Sequence, residues 1–255
     1  MNIKNITYQC TIDNSMWPAV IFEAKKKEPR PLLVALHTWS KTYDHPGHLK
    51  YAECCAEYGM HMIHPHFRGP NWTPDACGSE KAVQDIVDAV AHMMRTVPID
   101  SERVYLCGGS GGGHMSLLMA GRHPHLWAAV SSWCPISDLT TWYDQCVASC
   151  QHYAEHIEKA CGGNPKKSEA VLRDCLKRSP ITYLANARDI PIDIGQGIHD
   201  GHTGSVPVSQ AMIAFNILAS EPDRVSDFDI NYICSNEVVP EALRMSVTDP
   251  SYPSD

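Results

Sequence analysis

RVYLCGGSGGGH (residues 103–114) runs from a short apolar segment into five glycines interrupted by one serine, and MSLLMAG (115–121) follows it. Read as a strand, a turn at Ser110 and a helix, the segment forces the serine onto a tight turn. Its backbone angles must be strained there, and the glycines two before and two after it let strand and helix approach while the hydroxyl stands clear. That is the arrangement of a nucleophile elbow. The competing reading is a Gly-rich turn that binds phosphate at a helix N-terminus. It is the weaker one, because neither G-x-x-x-x-G-K-[ST] nor G-x-G-x-x-G is present.

Working outward, the chain alternates strand and helix. ITYQCTI (6–12) and WPAVIFEA (17–24) read as an opening antiparallel pair. LLVALH (32–37), HMIHPHF (61–67), WAAVSSW (127–133) and IPIDIGQGIHD (190–200) read as further strands. His48 to Tyr58 reads as a helix. Apolar residues from Val83 to Val97 recur at helical spacing, with Ser79 as cap and Pro98 as stop. Pro207 to Ser220 reads as another helix. Between 137 and 179 the apolar pattern loosens, and the Gly162-Gly163-Asn164-Pro165 turn divides two expected helices; this reads as an insertion, a candidate lid. Strands separated by helices need crossover connections, so the class is α/β, with a mostly parallel sheet covered on both faces. Ligands in such sheets bind beyond the carboxyl ends of the strands, where His37, Ser110, Cys134 and Asp200 all fall.

A serine that transfers acyl groups needs two N–H donors for the oxyanion. Gly111, after the serine, is the first. The second is expected from LHTWS (36–40), with Trp39 preferred over Thr38. Trp39 as a pocket wall and His37 as a loop anchor are compatible readings.

LVALHTWS (33–40), PHFRGPNW (65–72), the helix with Asp85 and Asp88, RVYLCGGSGGGHMSLLMAGRHP (103–124) and SVPVSQAMIAFN (205–216) together resemble the catalytic domain of the prolyl oligopeptidase family of α/β-hydrolases, including members without a propeller. The resemblance runs from about residue 15 to 220. It implies a serine hydrolase with the acid after the seventh strand and the histidine after the eighth, in the order Ser, Asp, His. Asp200 matches the acid; Asp193 and Asp138 are the alternatives, and an Asx turn to Gly201 is the bland role for it. The histidine is missing from its place. His202 is the last of fourteen, and FDINYICSNEVVPEALRMSVTDPSYPSD (228–255) offers no strand followed by Gly-His. In family terms the eighth strand is absent. Three explanations stand: the chain is incomplete, another histidine such as His202 serves, or the protein is no longer a hydrolase. His114, one turn into the helix after Ser110, is expected to point away.

Arg68, after the fourth strand, is a candidate pocket residue, with a structural pair to Asp85 or Asp88 as the alternative. Trp133, Trp142 and Tyr143 are candidate substrate walls, and His37 is a further candidate substrate contact. The 255 residues carry 21 Lys and Arg against 29 Asp and Glu, a net charge of -8, the wrong sign for nucleic acid. No apolar run reaches the roughly 20 residues of a membrane span. Residues 1–30 lack a basic-then-apolar leader, so a cytoplasmic location is expected, with the eleven cysteines as mostly free thiols and no metal site at zinc-ligand spacing. The expectation is a single-domain serine esterase or peptidase acting on a small ester or peptide, with no cofactor. The rival is a non-catalytic binding protein on the same scaffold.

Overall fold

The computed structural model describes residues 2–25 and 28–244. Seven strands form one sheet: β1 (Ile3–Gln9), β2 (Met16–Phe22), β3 (Arg30–Leu36), β4 (His61–Pro65), β5 (Ile99–Gly109), β6 (Ala129–Trp133) and β7 (Ile192–Gly195), in the order β1-β2-β4-β3-β5-β6-β7. The β1/β2 and β2/β4 pairings are antiparallel and the rest are parallel, which establishes the expected α/β-hydrolase class. The helices are α1 (His48–Tyr58), α2 (Glu80–Thr96), α3 (Gly111–Arg122), α4 (Leu139–Ala148), α5 (Tyr153–Cys161), α6 (Glu169–Arg178), α7 (Ser209–Leu218) and α8 (Asp227–Asn236).

Local chemistry accounts for the firmest elements. Ser79 accepts a hydrogen bond from the Ala82 N–H and so caps α2, whose buried Val83, Ile86, Ala89, Val90 and Met93 lie on one stripe against the sheet. Two expectations change. The segment 137–179 holds three helices rather than two, and they bury Leu139, Trp142, Cys146, Ile157 and Cys175 in a cluster of their own that also takes in Trp39. The strand expected over 190–200 is only Ile192–Gly195, so Asp200 lies five residues beyond it in a loop.

Coverage of the sheet is also unequal. Val104, Leu106 and Val130 are buried with α2 and α3 on one face. On the other face α1 covers the β2–β4 side, packing Ala52 and Cys55 on Val20, Phe22 and Met62. Over β5–β7 that face is an open groove of about 530 Å³, lined by Tyr105, Ala129, Ser131, Ile192 and Asp193 among others. Covering on both faces was the expectation. Among the described residues β7 pairs only with β6 and its outer edge is free. No eighth strand occurs there; residues 227–236 form α8, capped by Ser226.

Candidate active site

β5 ends at Gly109 and α3 begins at Gly111, so Ser110 alone makes the turn, with φ 56° and ψ -118°. A non-glycine residue in that conformation is strained and is held by its surroundings. Its N–H donates to the Trp133 carbonyl at 2.8 Å, and its carbonyl accepts the His114 N–H at 2.8 Å. The close approach of strand and helix requires glycine: a Cβ on Gly108 would lie 2.6 Å from the Gly112 carbonyl carbon, and one on Gly112 would lie 2.5 Å from the Leu36 oxygen. The Ser110 side is half-exposed.

Gly111 packs directly on the loop after β3. A Cβ there would lie 2.5 Å from the Trp39 backbone nitrogen, so the Gly111 and Trp39 backbones are in direct contact. Neither N–H has a backbone acceptor among the described residues. The Trp39 side chain anchors the loop: its indole is buried, donates to His156 Nδ1 at 3.2 Å and meets Trp142 edge-on at 4.8 Å.

Asp200 is set in a cradle. Its Oδ1 accepts the N–H groups of Gly201 (3.0 Å) and Val206 (3.2 Å), and its Oδ2 accepts from Gln196 Nε2 (2.8 Å). The Asx contact to Gly201 is therefore present, as part of a larger arrangement. Gly204 closes the loop so tightly that a Cβ there would meet Oδ1 at 1.9 Å. Cys134, directly after β6 with φ 47°, directs its thiol at the same carboxylate. Burial, with the Asp200 charge and hydrogen bond, pushes that thiol up. Gln196 carries no motif that sequence reading could use. Cys134 was legible only as a strand-end residue.

The histidine candidate is placed elsewhere. His202 Nε2 is hydrogen-bonded at 2.7 Å to the Cys234 carbonyl of α8, and His199 pairs with Glu237 at 2.6 Å, so both imidazoles are engaged with the α8 region rather than with Asp200. His114 points away from the turn, as expected: it is fully buried and its Nε2 meets the Arg178 carbonyl at 2.8 Å. Burial lowers its pKa to about 4.

Four of the expected substrate contacts are corrected. Arg68 is buried and committed: its Nε donates to Asp85 at 2.6 Å, its Nη1 to Asp13 at 2.8 Å, and its guanidinium lies 4.4 Å over Trp17. A guanidinium stays charged wherever it is placed and is costly to bury without partners, so Arg68 stays with Asp85 and Asp13. Asp88 instead accepts the Thr11 N–H. His37 is buried, stacked at 3.9 Å on Phe67 and bonded through Nδ1 to the Thr38 carbonyl; burial brings its pKa down to about 3. Trp142 donates to the Ser205 carbonyl, and Tyr143 donates to Glu158 while accepting from Asn164. Both rings belong to the core of the insertion because their polar ends are satisfied inside it. Only Trp133, 48% exposed, remains at the surface, with its ring against Gly195.

A parallel sheet with antiparallel edge strands, and a strained serine between the central strand and its helix, define the class: this is an α/β-hydrolase. Its family is equally plain. The family model described as the prolyl oligopeptidase family matches residues 52–232, well over half the chain, and the protein belongs to that family. Dipeptidyl aminopeptidase BIII of Pseudoxanthomonas mexicana is 25% identical over 205 residues, covering 76% of this chain and 29% of that protein. The uncomplexed acylaminoacyl peptidase of Pyrococcus horikoshii superimposes with a TM-score of 0.69 at 19% identity, over 85% of this chain and 34% of that one. A puromycin-hydrolyzing peptidase of Mycobacterium tuberculosis gives 0.65 at 18%, over 85% and 33%. The chain thus spans about a third of the length of these relatives.

Proposed function

We propose that the chain carries the catalytic apparatus of a serine hydrolase that cleaves a peptide or carboxylic ester bond through an acyl-enzyme on Ser110. The observation that supports this most is the strained Ser110 beside the close approach of the Gly111 and Trp39 backbones, whose N–H groups are the two expected donors. In this reading the Ser110 hydroxyl attacks the carbonyl carbon, and the carbonyl oxygen gains negative charge between those two donors. Asp200, oriented by Gln196, Gly201 and Val206, is the acid that aligns an imidazole and stabilises it once protonated. That imidazole has to reach Asp200 either by His202 leaving the Cys234 carbonyl or from a segment beside the free edge of β7. The peptide half of the reading is supported by relatives named as peptidases. A cytoplasmic setting fits eleven cysteines that are all unpaired thiols. No cofactor is called for.

The second reading, a binding protein on a hydrolase scaffold, is favoured by one observation: His199 and His202 are both engaged around α8. Turnover of p-nitrophenyl acetate and butyrate by the chain and by its Ser110→Ala variant, with both shown to be folded, separates the two. Loss of turnover in the variant is the expected result; a complete apparatus loses on the order of a millionfold on removal of the serine. His202→Ala then tells whether that residue is the base. Equal rates in both folded proteins overturn the catalytic reading.

A further inference from the structure

The open face of the sheet carries an ordered polar chain that packing does not require. Strand pairing sets Ser131 beside Asp193, and Trp133 beside Gly195 one pleat nearer the carboxyl ends. Trp133 Nε1 donates to Ser131 Oγ at 3.0 Å, and the Ser131 hydroxyl donates to Asp193 Oδ2 at 3.1 Å. The indole lies down over Gly195: a Cβ there would meet three of its ring carbons at 2.7–2.9 Å, so only glycine leaves room for the ring. Its outer side stays open, with the residue 48% exposed. Asp193 is exposed, and among the described residues Ser131 is its one side-chain partner. Arg188, which lines a neighbouring hollow with Asp193, donates instead to the Ile217 carbonyl from Nε and Nη2. Aspartate is disfavoured within strands. Here one stands at the rim of the groove of about 530 Å³, whose walls include Tyr105 and Ala129, with a carboxylate that no cation neutralises among the described residues.

We propose that this corner binds an organic ammonium. The cation sits between the Asp193 carboxylate and the outer face of the Trp133 indole, and the apolar body that carries it lies in the groove along Tyr105 and Ala129. A carboxylate accepts the N–H groups of an ammonium in charge-assisted hydrogen bonds, and indole is the aromatic face that attracts a cation most strongly. The two reach one guest because a single hydroxyl separates them. That hydroxyl also fixes both groups before the guest arrives, which lowers the ordering cost of binding. The apolar walls take the body out of water, while the few polar groups set its orientation, as in small-molecule sites generally. The net charge of -8 adds a general attraction for cations. An anion of the same shape meets Asp193 as a like charge, and a neutral guest leaves that charge uncompensated. The inference stands apart from acyl transfer at Ser110.

The probe is phenethylamine, a cation at neutral pH, with phenethyl alcohol as the neutral guest of the same shape and hydrocinnamate as the anionic one. Each is titrated into the folded chain while the indole N–H signals are followed by NMR, the Trp133 signal being the one missing from Trp133→Phe. The result expected is a saturable shift of that signal with phenethylamine, binding about tenfold weaker for the alcohol, and none for hydrocinnamate. Added salt should weaken the amine and leave the alcohol unchanged. Asp193→Asn, shown to be folded by its thermal unfolding, should bring the amine down to the level of the alcohol. Equal affinity for amine and alcohol, unchanged amine affinity in Asp193→Asn, or no shift of the Trp133 signal overturns the proposal. So does a shift of that signal when the protein alone is concentrated, which places a second copy of the chain on this face.

Discussion

On one side of β5, Leu106 lies fully buried against the helical layer of α2 and α3, whereas Tyr105, its neighbour on the same strand, looks into an open groove. β6 repeats the contrast, with Val130 buried and Ala129 and Ser131 partly exposed. Successive side chains of a strand point to opposite faces, so a helix on one face settles the environment of every second residue and leaves the others untouched. The strained serine depends on the covered face, since Gly112, through which α3 meets the end of β3, belongs to it. The open face and the free edge of β7 contribute nothing to holding that turn.

Substitutions should separate the two faces. The largest effect is expected from Arg68→Ala, which leaves the fully buried Asp85 of α2 without its partner; a loss of about 3–5 kcal/mol in urea unfolding is expected for a broken buried pair. A loss below about 1 kcal/mol would mean that the pair is not integral to the covered face. Leu106→Ala comes next, at about 2–5 kcal/mol for a core truncation. Tyr105→Ala on the other face should cost about 1 kcal/mol. Equal costs at these adjacent positions would break the comparison.

Acid should also act through buried imidazoles. His114, at about 4, and His64, lowered by burial to about 4, have folded pKa values below the unfolded value near 6.5. The unfolded chain therefore binds the proton first. The stability tied to these neutral imidazoles is fully present above pH 6.5 and declines as the pH falls towards 4, by up to about 1.4 kcal/mol per pH unit for each group. Denaturation midpoints at pH 7, 6 and 5 should show that slope, and His114→Gln should remove one group's share of it. The smallest effect is expected at Asp193, exposed in the open groove: Asp193→Asn should stay within about 0.5 kcal/mol of the parent in thermal unfolding.

How much of this was legible in the chain depended on how local the cause was. The turn at Ser110 could be read because the steric demand falls on glycines two residues away, and α2 because Ser79 and the apolar stripe lie within one element. Asp200 was singled out as a candidate by its place after β7, but the hydrogen bonds around it were not legible, because Gln196 and Val206 act through a loop fold that no spacing rule encodes. Arg68, Trp142 and Tyr143 look alike on paper whether they line a pocket or fill a core. Their partners Asp13, Ser205 and Glu158 lie 15 or more residues away along the chain, and only folding brings them together.

Periodicity, caps and the glycine-serine turn therefore carried the α/β-hydrolase class and the strained turn at Ser110, because each follows from sterics and hydrogen bonding among near neighbours. The engagement of His202 with α8 and the bare face over β5–β7 were decided in three dimensions. Burial and long-range hydrogen bonds depend on which surfaces meet, and residues far apart in the chain meet only when the whole fold has formed.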